Sequence, residues 1–136
     1  HGLKVYISFF TGRDYPFDEY SILNQLSDIV VADLGQNELI DPANIKLEQI
    51  AQARQALTTA REAMLSRQYE VVILNGILLA VDFKLLGMDD VIHLIGEKPA
   101  NVELVLTGRQ SNPDLIAMAD TVTEITAIKR NDDSLG

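Results

Sequence analysis

Five short apolar runs rich in β-branched residues constrain this chain more than any other feature. They lie at residues 3–10 (LKVYISFF), 28–34 (DIVVADL), 69–74 (YEVVIL), 101–106 (NVELVL) and 121–128 (TVTEITAI). The first has no helical period and reads as a strand buried on both faces, the next three read as strands, and the last alternates. Helical segments separate them. Ile50, Ala53, Leu57, Ala60 and Met64 recur at steps of three and four, predicting a helix from residue 44 or 45 to 68 with Gln52, Arg54, Thr59 and Arg61 on its opposite face. Residues 88–97 read as a second helix, with Asp89 and Asp90 in the first turn, where the positive end of the helix dipole favours carboxylates. Residues 18–26 suggest a short helix, residues 75–86 a loop plus helix, and Ser111-Asn112-Pro113-Asp114 a capped helix start.

Strands alternating with helices imply right-handed crossovers, so the expected fold is α/β with a mostly parallel sheet and helices on both faces. At 136 residues the chain fits one domain, expected over residues 1–130, with a polar tail at 131–136. The sequence opens on His1 rather than methionine, and a segment upstream is expected.

Composition narrows the chemistry. Without cysteine there is no disulfide framework or thiolate, and His1 and His93 alone are too few for most zinc centres, so no metal site is expected from these residues. A net charge of −9 repels nucleic acid and anionic lipid, and no apolar run approaches the roughly 18 residues of a membrane span. A cytoplasmic protein with neither partner is expected. The eight glycines stand at least nine residues apart, which excludes a G-x-G-x-x-G turn, and none precedes a lysine, which excludes a triphosphate loop.

In parallel sheets ligands sit outside the carboxyl ends of the strands, here residues 11–14, 34–37, 75–77 and 107–111. Thr107, Gly108 and Arg109 place a hydroxyl, a flexible backbone and a guanidinium just past a strand, where an anion could be held. On these residues alone the plainer reading is a turn at Gly108, with Arg109 paired to a surface carboxylate. Asn75-Gly76 is likewise either ligand-facing or a turn dipeptide. His93 reads as a helix-surface or partly packed residue rather than a metal ligand, Asp33 as a solvated or capping carboxylate rather than a ribose or metal ligand, and residues 77–81 as core, a pattern an apolar wall beside a ligand would share.

The segments YEVVILNGI, MDDVIHLIGEKP and VELVLTGRQSNPDLIAMADTVTEI, within residues 69–130, together resemble the corrinoid adenosyltransferases, a family related to P-loop NTPases. The most specific part is LTGR (residues 106–109), P-x-L-I (113–116) and A-D-x-V-T-E (119–124). The stretch His1-Gly2-x-Lys4-Val5 resembles the start of the family's second strand, so the likeness covers most of the chain.

That resemblance implies a P-loop NTPase-like, Rossmann-like three-layer fold without the P-loop unit. It also implies ATP, Mg2+ and a corrinoid as cofactors and substrates, with Thr107, Gly108, Arg109 and Asn75 near the nucleotide phosphates, and it is compatible with a homodimer. The cobalt(I) of the corrinoid would attack the 5′ carbon of ATP and expel triphosphate, leaving placement and electrostatics to the protein. The family's strand-three Asp-Glu, which holds magnesium, reads Asn75-Gly76 here, and its Q-F-x-K-G reads Phe9-Phe10-Thr11-Gly12-Arg13. Losing three or four charge-assisted contacts of about 1.5 to 3 kcal/mol each would weaken ATP binding by roughly 5 to 10 kcal/mol. Two alternatives to an impaired transferase are a non-enzymatic module binding a corrinoid, nucleotide or protein partner, and the C-terminal part of a larger enzyme with its P-loop upstream.

Overall fold

Parallel strands need crossovers of a dozen or more residues, which the segments between these strands supply, and in the computed structural model every strand pair is parallel. The structure describes residues 3–10, 28–32, 40–108 and 124–127. The strands are β1 (Val5–Phe9), β2 (Ile29–Ala32), β3 (Val71–Asn75), β4 (Glu103–Gly108) and β5 (Glu124–Ala127). They form one five-stranded sheet in the order β2-β1-β3-β4-β5. The chain steps from β1 to β2 in one direction and from β3 to β4 in the other, so the order reverses between β1 and β3.

The helices are α1 (Leu47–Ser66), α2 (Ile77–Asp82) and α3 (Met88–Gly96). Side chains alternate across a strand, and that alternation divides the core in two. Tyr6, Val72, Leu74, Leu104 and Leu106 pack with Ala53, Met64, Leu78 and Ile95 from the three helices. Ile7, Phe9, Ile29, Val31 and Ile73 form the opposite face. The described helices therefore cover one face. The expected helices at 18–26 and from residue 111 lie outside the described residues.

Several boundaries differ from the sequence reading. The buried stripe of α1 is Gln49, Ala53, Ala56, Ala60 and Met64, whereas Ile50 and Leu57 are only half-buried. Alanines occupy the middle of this stripe, so the wall of α1 against the core is made of small side chains, and the larger ones lie at its margins. Gln49 is buried because its Oε1 accepts the Lys46 N–H at 2.9 Å, closing the first turn. The stretch read as loop plus helix begins directly as α2, and the turn follows it, with Lys84 at φ 64. At the start of α3, Asp90 Oδ2 accepts the Gly87 N–H at 3.0 Å, which gives that acidic first turn a specific capping role. Both β3 and β4 extend past the ends of their apolar runs, to Asn75 and Gly108, because neighbouring strands pair those polar residues.

An exposed two-pronged ion pair, Arg61 Nε to Glu97 Oε1 at 2.6 Å and Nη2 to Oε2 at 2.7 Å, links α1 to the residue after α3. It holds the Glu97 carboxyl below its ordinary range through the Arg61 hydrogen bond. Lys98 Nζ donates to the carbonyls of Pro99 and Val102 at 3.0 and 2.7 Å, shaping the turn into β4. Among the described residues no helix is long and apolar enough to cross a membrane.

Tyr6 is 4% exposed, stacks obliquely on Tyr69 with ring centroids 5.3 Å apart, and its hydroxyl has no partner among the described residues. Burial, aided by the neighbouring Tyr69 and Glu62, pushes that phenol up to about 12. In the unfolded chain it ionises near 10.0, so the native state keeps a proton the unfolded state has released, and stability falls as pH rises between these values. Tyr6→Phe should flatten this alkaline loss in urea titrations, while leaving neutral stability the same or slightly higher because an unpaired hydroxyl is removed. Leu74→Ala, at a fully buried site in β3, should cost about 2 to 5 kcal/mol in the same measurement.

Candidate functional site

The strand order reverses between β1 and β3, and the carboxyl ends of strands at such a reversal are where ligands of open parallel sheets bind. Register sets the residues found there. Phe9 lies beside Asn75, and the Leu74–Leu106 pairing, continued by one residue, sets Thr107 beside Asn75. Thr107 in turn lies in register with Thr126 of β5. Asn75 and Thr107 have the strand parity of Ile73 and Val105, so they project from the face opposite the three described helices.

Hydrogen bonds stitch this edge together. The Phe10 N–H donates to the Asn75 carbonyl at 3.0 Å, extending the β1–β3 ladder past β1. The Gly76 N–H donates to Thr107 Oγ1 at 2.8 Å, and the Thr107 hydroxyl donates to Asn75 Oδ1 at 3.5 Å, the outer limit of such a bond. Gly76 is buried with φ 83 and ψ 6, the left-handed region, and its carbonyl accepts the Ala80 N–H to open α2. Glycine fits there because a Cβ would crowd the following carbonyl. The Asn-Gly pair is thus a strand-to-helix turn with one side chain in the row at the carboxyl edge of the sheet.

Among the candidates from sequence, Asn75 and Thr107 are in contact, and Gly108 ends β4 beside Ala127. Thr107 and Gly108 belong to β4 itself, which corrects their placement beyond the strand: pairing with β5 carries the ladder two residues past the apolar run. Arg109, Asp33 and residues 11–14 and 34–37 lie outside the described residues. His93 is exposed on α3, as expected for a surface histidine, and Ile77, Leu78 and Ala80 are core. The sequence reading missed the bond from Gly76 to Thr107. Turn chemistry at Asn-Gly hinted at the left-handed glycine, but the partner is 31 residues away and no local pattern announces it.

The described part of the row, Phe9, Asn75, Gly76 and Thr107, carries no titratable group. Its polar inventory is an amide, a hydroxyl and backbone groups. These can position a ligand and donate or accept hydrogen bonds, but they bring neither charge nor a general base. Among the described residues no group of three His, Cys, Asp or Glu side chains is placed to hold a metal ion.

A family model described as ATP:corrinoid adenosyltransferase BtuR/CobO/CobP matches residues 1–134. A corrinoid adenosyltransferase of Sinorhizobium sp is 35% identical over 81 residues, 59% of this chain and 38% of that protein. One from Pseudomonas aeruginosa is 34% identical over 80 residues, 59% of this chain and 39% of its own length. One from Escherichia coli K12 is 23% identical over 129 residues, 95% of this chain and 65% of its own. In each case the matched stretch spans less than two thirds of the relative.

Gly76→Ala should destabilise the fold by roughly 1 to 2 kcal/mol, the cost of a Cβ in the left-handed region. Equilibrium urea unfolding reads this directly, and an unchanged midpoint would mean that residue 76 is not held at positive φ.

Proposed function

This chain belongs to the ATP:corrinoid adenosyltransferase family, and from that membership we propose that it is the corrinoid- and nucleotide-facing part of an adenosylating protein with a weakened hold on ATP. In the proposed reaction a bond forms between cobalt(I) and the 5′ carbon of ATP as the bond from that carbon to the triphosphate oxygen breaks. The cobalt supplies the electron pair and triphosphate leaves with its own. The polypeptide's part is then to hold two reactants in line and to stabilise the departing charge.

Arg109, two residues beyond Thr107 in the LTGR segment, would supply the positive charge that meets the leaving triphosphate. Thr107 and Gly108 would set the direction in which the chain leaves β4, and Asn75 would border the phosphate region from β3. The observation that carries the reading is the alignment of Asn75 and Thr107 in one row at the point of strand reversal, inside a chain matched almost end to end by the family model. A role in cobalamin biosynthesis, a cytoplasmic setting, one domain over residues 1–130 and a homodimer belong to the same proposal.

Titration calorimetry with Mg-ATP and an adenosylation assay on reduced cobalamin test the reading, together with the melting temperature in hydroxocobalamin. A ligand that binds only the folded state must raise that temperature. We expect a rise with hydroxocobalamin and an ATP affinity several powers of ten below ordinary nucleotide sites. Ordinary ATP affinity and turnover would overturn the weakened hold, and no response to hydroxocobalamin would overturn the corrinoid assignment.

A further inference from the structure

Magnesium binds through near-octahedral oxygen donors and is normally held by one or two carboxylates together with substrate phosphates. The end of β3 does not fit that requirement. Its one side-chain oxygen is the neutral Oδ1 of Asn75, which faces the Thr107 hydroxyl at 3.5 Å. Gly76 contributes no side chain, and its backbone lies where a residue bearing one is strained. The Thr107 oxygen already accepts the Gly76 N–H while its proton is directed at Asn75. The two positions that would carry acidic ligands are thus an amide and a bare backbone, tied to the neighbouring strand by hydrogen bonds.

We infer that the ligand-facing end of β3 works without a divalent cation, and that Thr107 is the positioning residue that holds it. A bound metal would draw two ligands together. Here the Gly76 N–H and Thr107 Oγ1, at 2.8 Å, fasten the β3–α2 turn to β4 across the same gap. The Phe10 N–H fastens the other side to the chain leaving β1 through the Asn75 carbonyl. The edge is therefore pre-set by the chain's own hydrogen bonds, and divalent cations leave it unchanged. This deepens the proposal for the same site but rests only on family membership, which is why a cation would be looked for there, and not on catalytic activity.

The test uses the full 136-residue chain and two readouts independent of ATP and corrinoid. Manganese serves as the paramagnetic probe, since its free-ion resonance falls when it is bound. Any fall in that signal from the acidic surface of this −9 chain should be the same in the wild type and in Asn75→Leu, and stoichiometric uptake abolished by Asn75→Leu would overturn the inference. Amide hydrogen exchange reports on the tie itself, with Val72 and Leu104 as internal references. The Gly76 amide should be protected in the wild type and in Thr107→Ser, which keeps the hydroxyl. In Thr107→Val it should exchange roughly tenfold faster relative to the references, the equivalent of one hydrogen bond. An unchanged Gly76 rate in Thr107→Val would overturn the inference. Should Thr107→Val not fold, the wild-type and Thr107→Ser proteins still decide it, because a Gly76 amide exchanging at the open-chain rate in both is incompatible with the tie.

Discussion

The parallel ladder between β1 and β3 is the seam on which the molecule depends. It pairs five consecutive residues, Val5 to Phe9 with Val71 to Asn75, and is extended past β1 by the Phe10 N–H on the Asn75 carbonyl. Its opposite end is fastened as well: the Lys4 carbonyl accepts the Glu70 N–H at 2.9 Å, and the Lys4 N–H donates to Glu70 Oε1 at 2.6 Å. Because the strand order reverses here, this ladder also borders the candidate site. Displacing it by one residue would turn every side chain of β1 to the wrong face, carrying Tyr6 away from α1 and Phe9 away from the site. Sheet stability and site geometry therefore share one set of hydrogen bonds.

The two faces solve different problems. On the helix-covered face, alanines along α1 line the core, and two polar side chains of β1, Tyr6 and Ser8, lie beneath without partners for their hydroxyls among the described residues. Those hydroxyls carry a desolvation cost that the apolar packing around them must exceed. On the other face the apolar cluster of Ile7, Phe9, Ile29, Val31 and Ile73 gives way at the carboxyl edge to Asn75 and Thr107. A polar row at that edge is the arrangement a binding site requires, since polar groups there can exchange water for ligand at little cost.

Family membership and the particular residues of this chain carry different information. Membership supplies a scaffold and the class of reaction proposed for it, whereas the residues at the strand ends decide how that class can be served. Where the family resemblance implies two carboxylates, this chain has an amide and a left-handed glycine, a difference in local charge and backbone together. The difference is not two independent side-chain losses. The αL conformation of Gly76 directs its N–H at Thr107, so geometry, charge and the bond between β3 and β4 form one unit.

Much of the architecture was legible in the chain alone. The apolar runs around residues 5–9, 29–32, 71–75, 103–108 and 124–127 announce five strands, and the three-and-four spacing through Met64 announces the long helix, because burial imposes a periodicity that sequence preserves. Strands buried on both faces lack alternation, so their ends and their register were not legible, and Asn75, Thr107 and Gly108 were read as lying beyond the ladder. The same limit hid the choice of Ala56 over Leu57 in the buried stripe, since a few tens of degrees of helix rotation are settled by the surface packed against it. The amino-acid sequence by itself determined the element order, the parallel connections and the absence of an acidic pair after β3. Only the tertiary structure decided the order of the strands, the row joining Asn75 to Thr107 and the bond that closes it, because those depend on a backbone N–H and a side-chain hydroxyl brought together from segments 31 residues apart, about which neither segment carries local information.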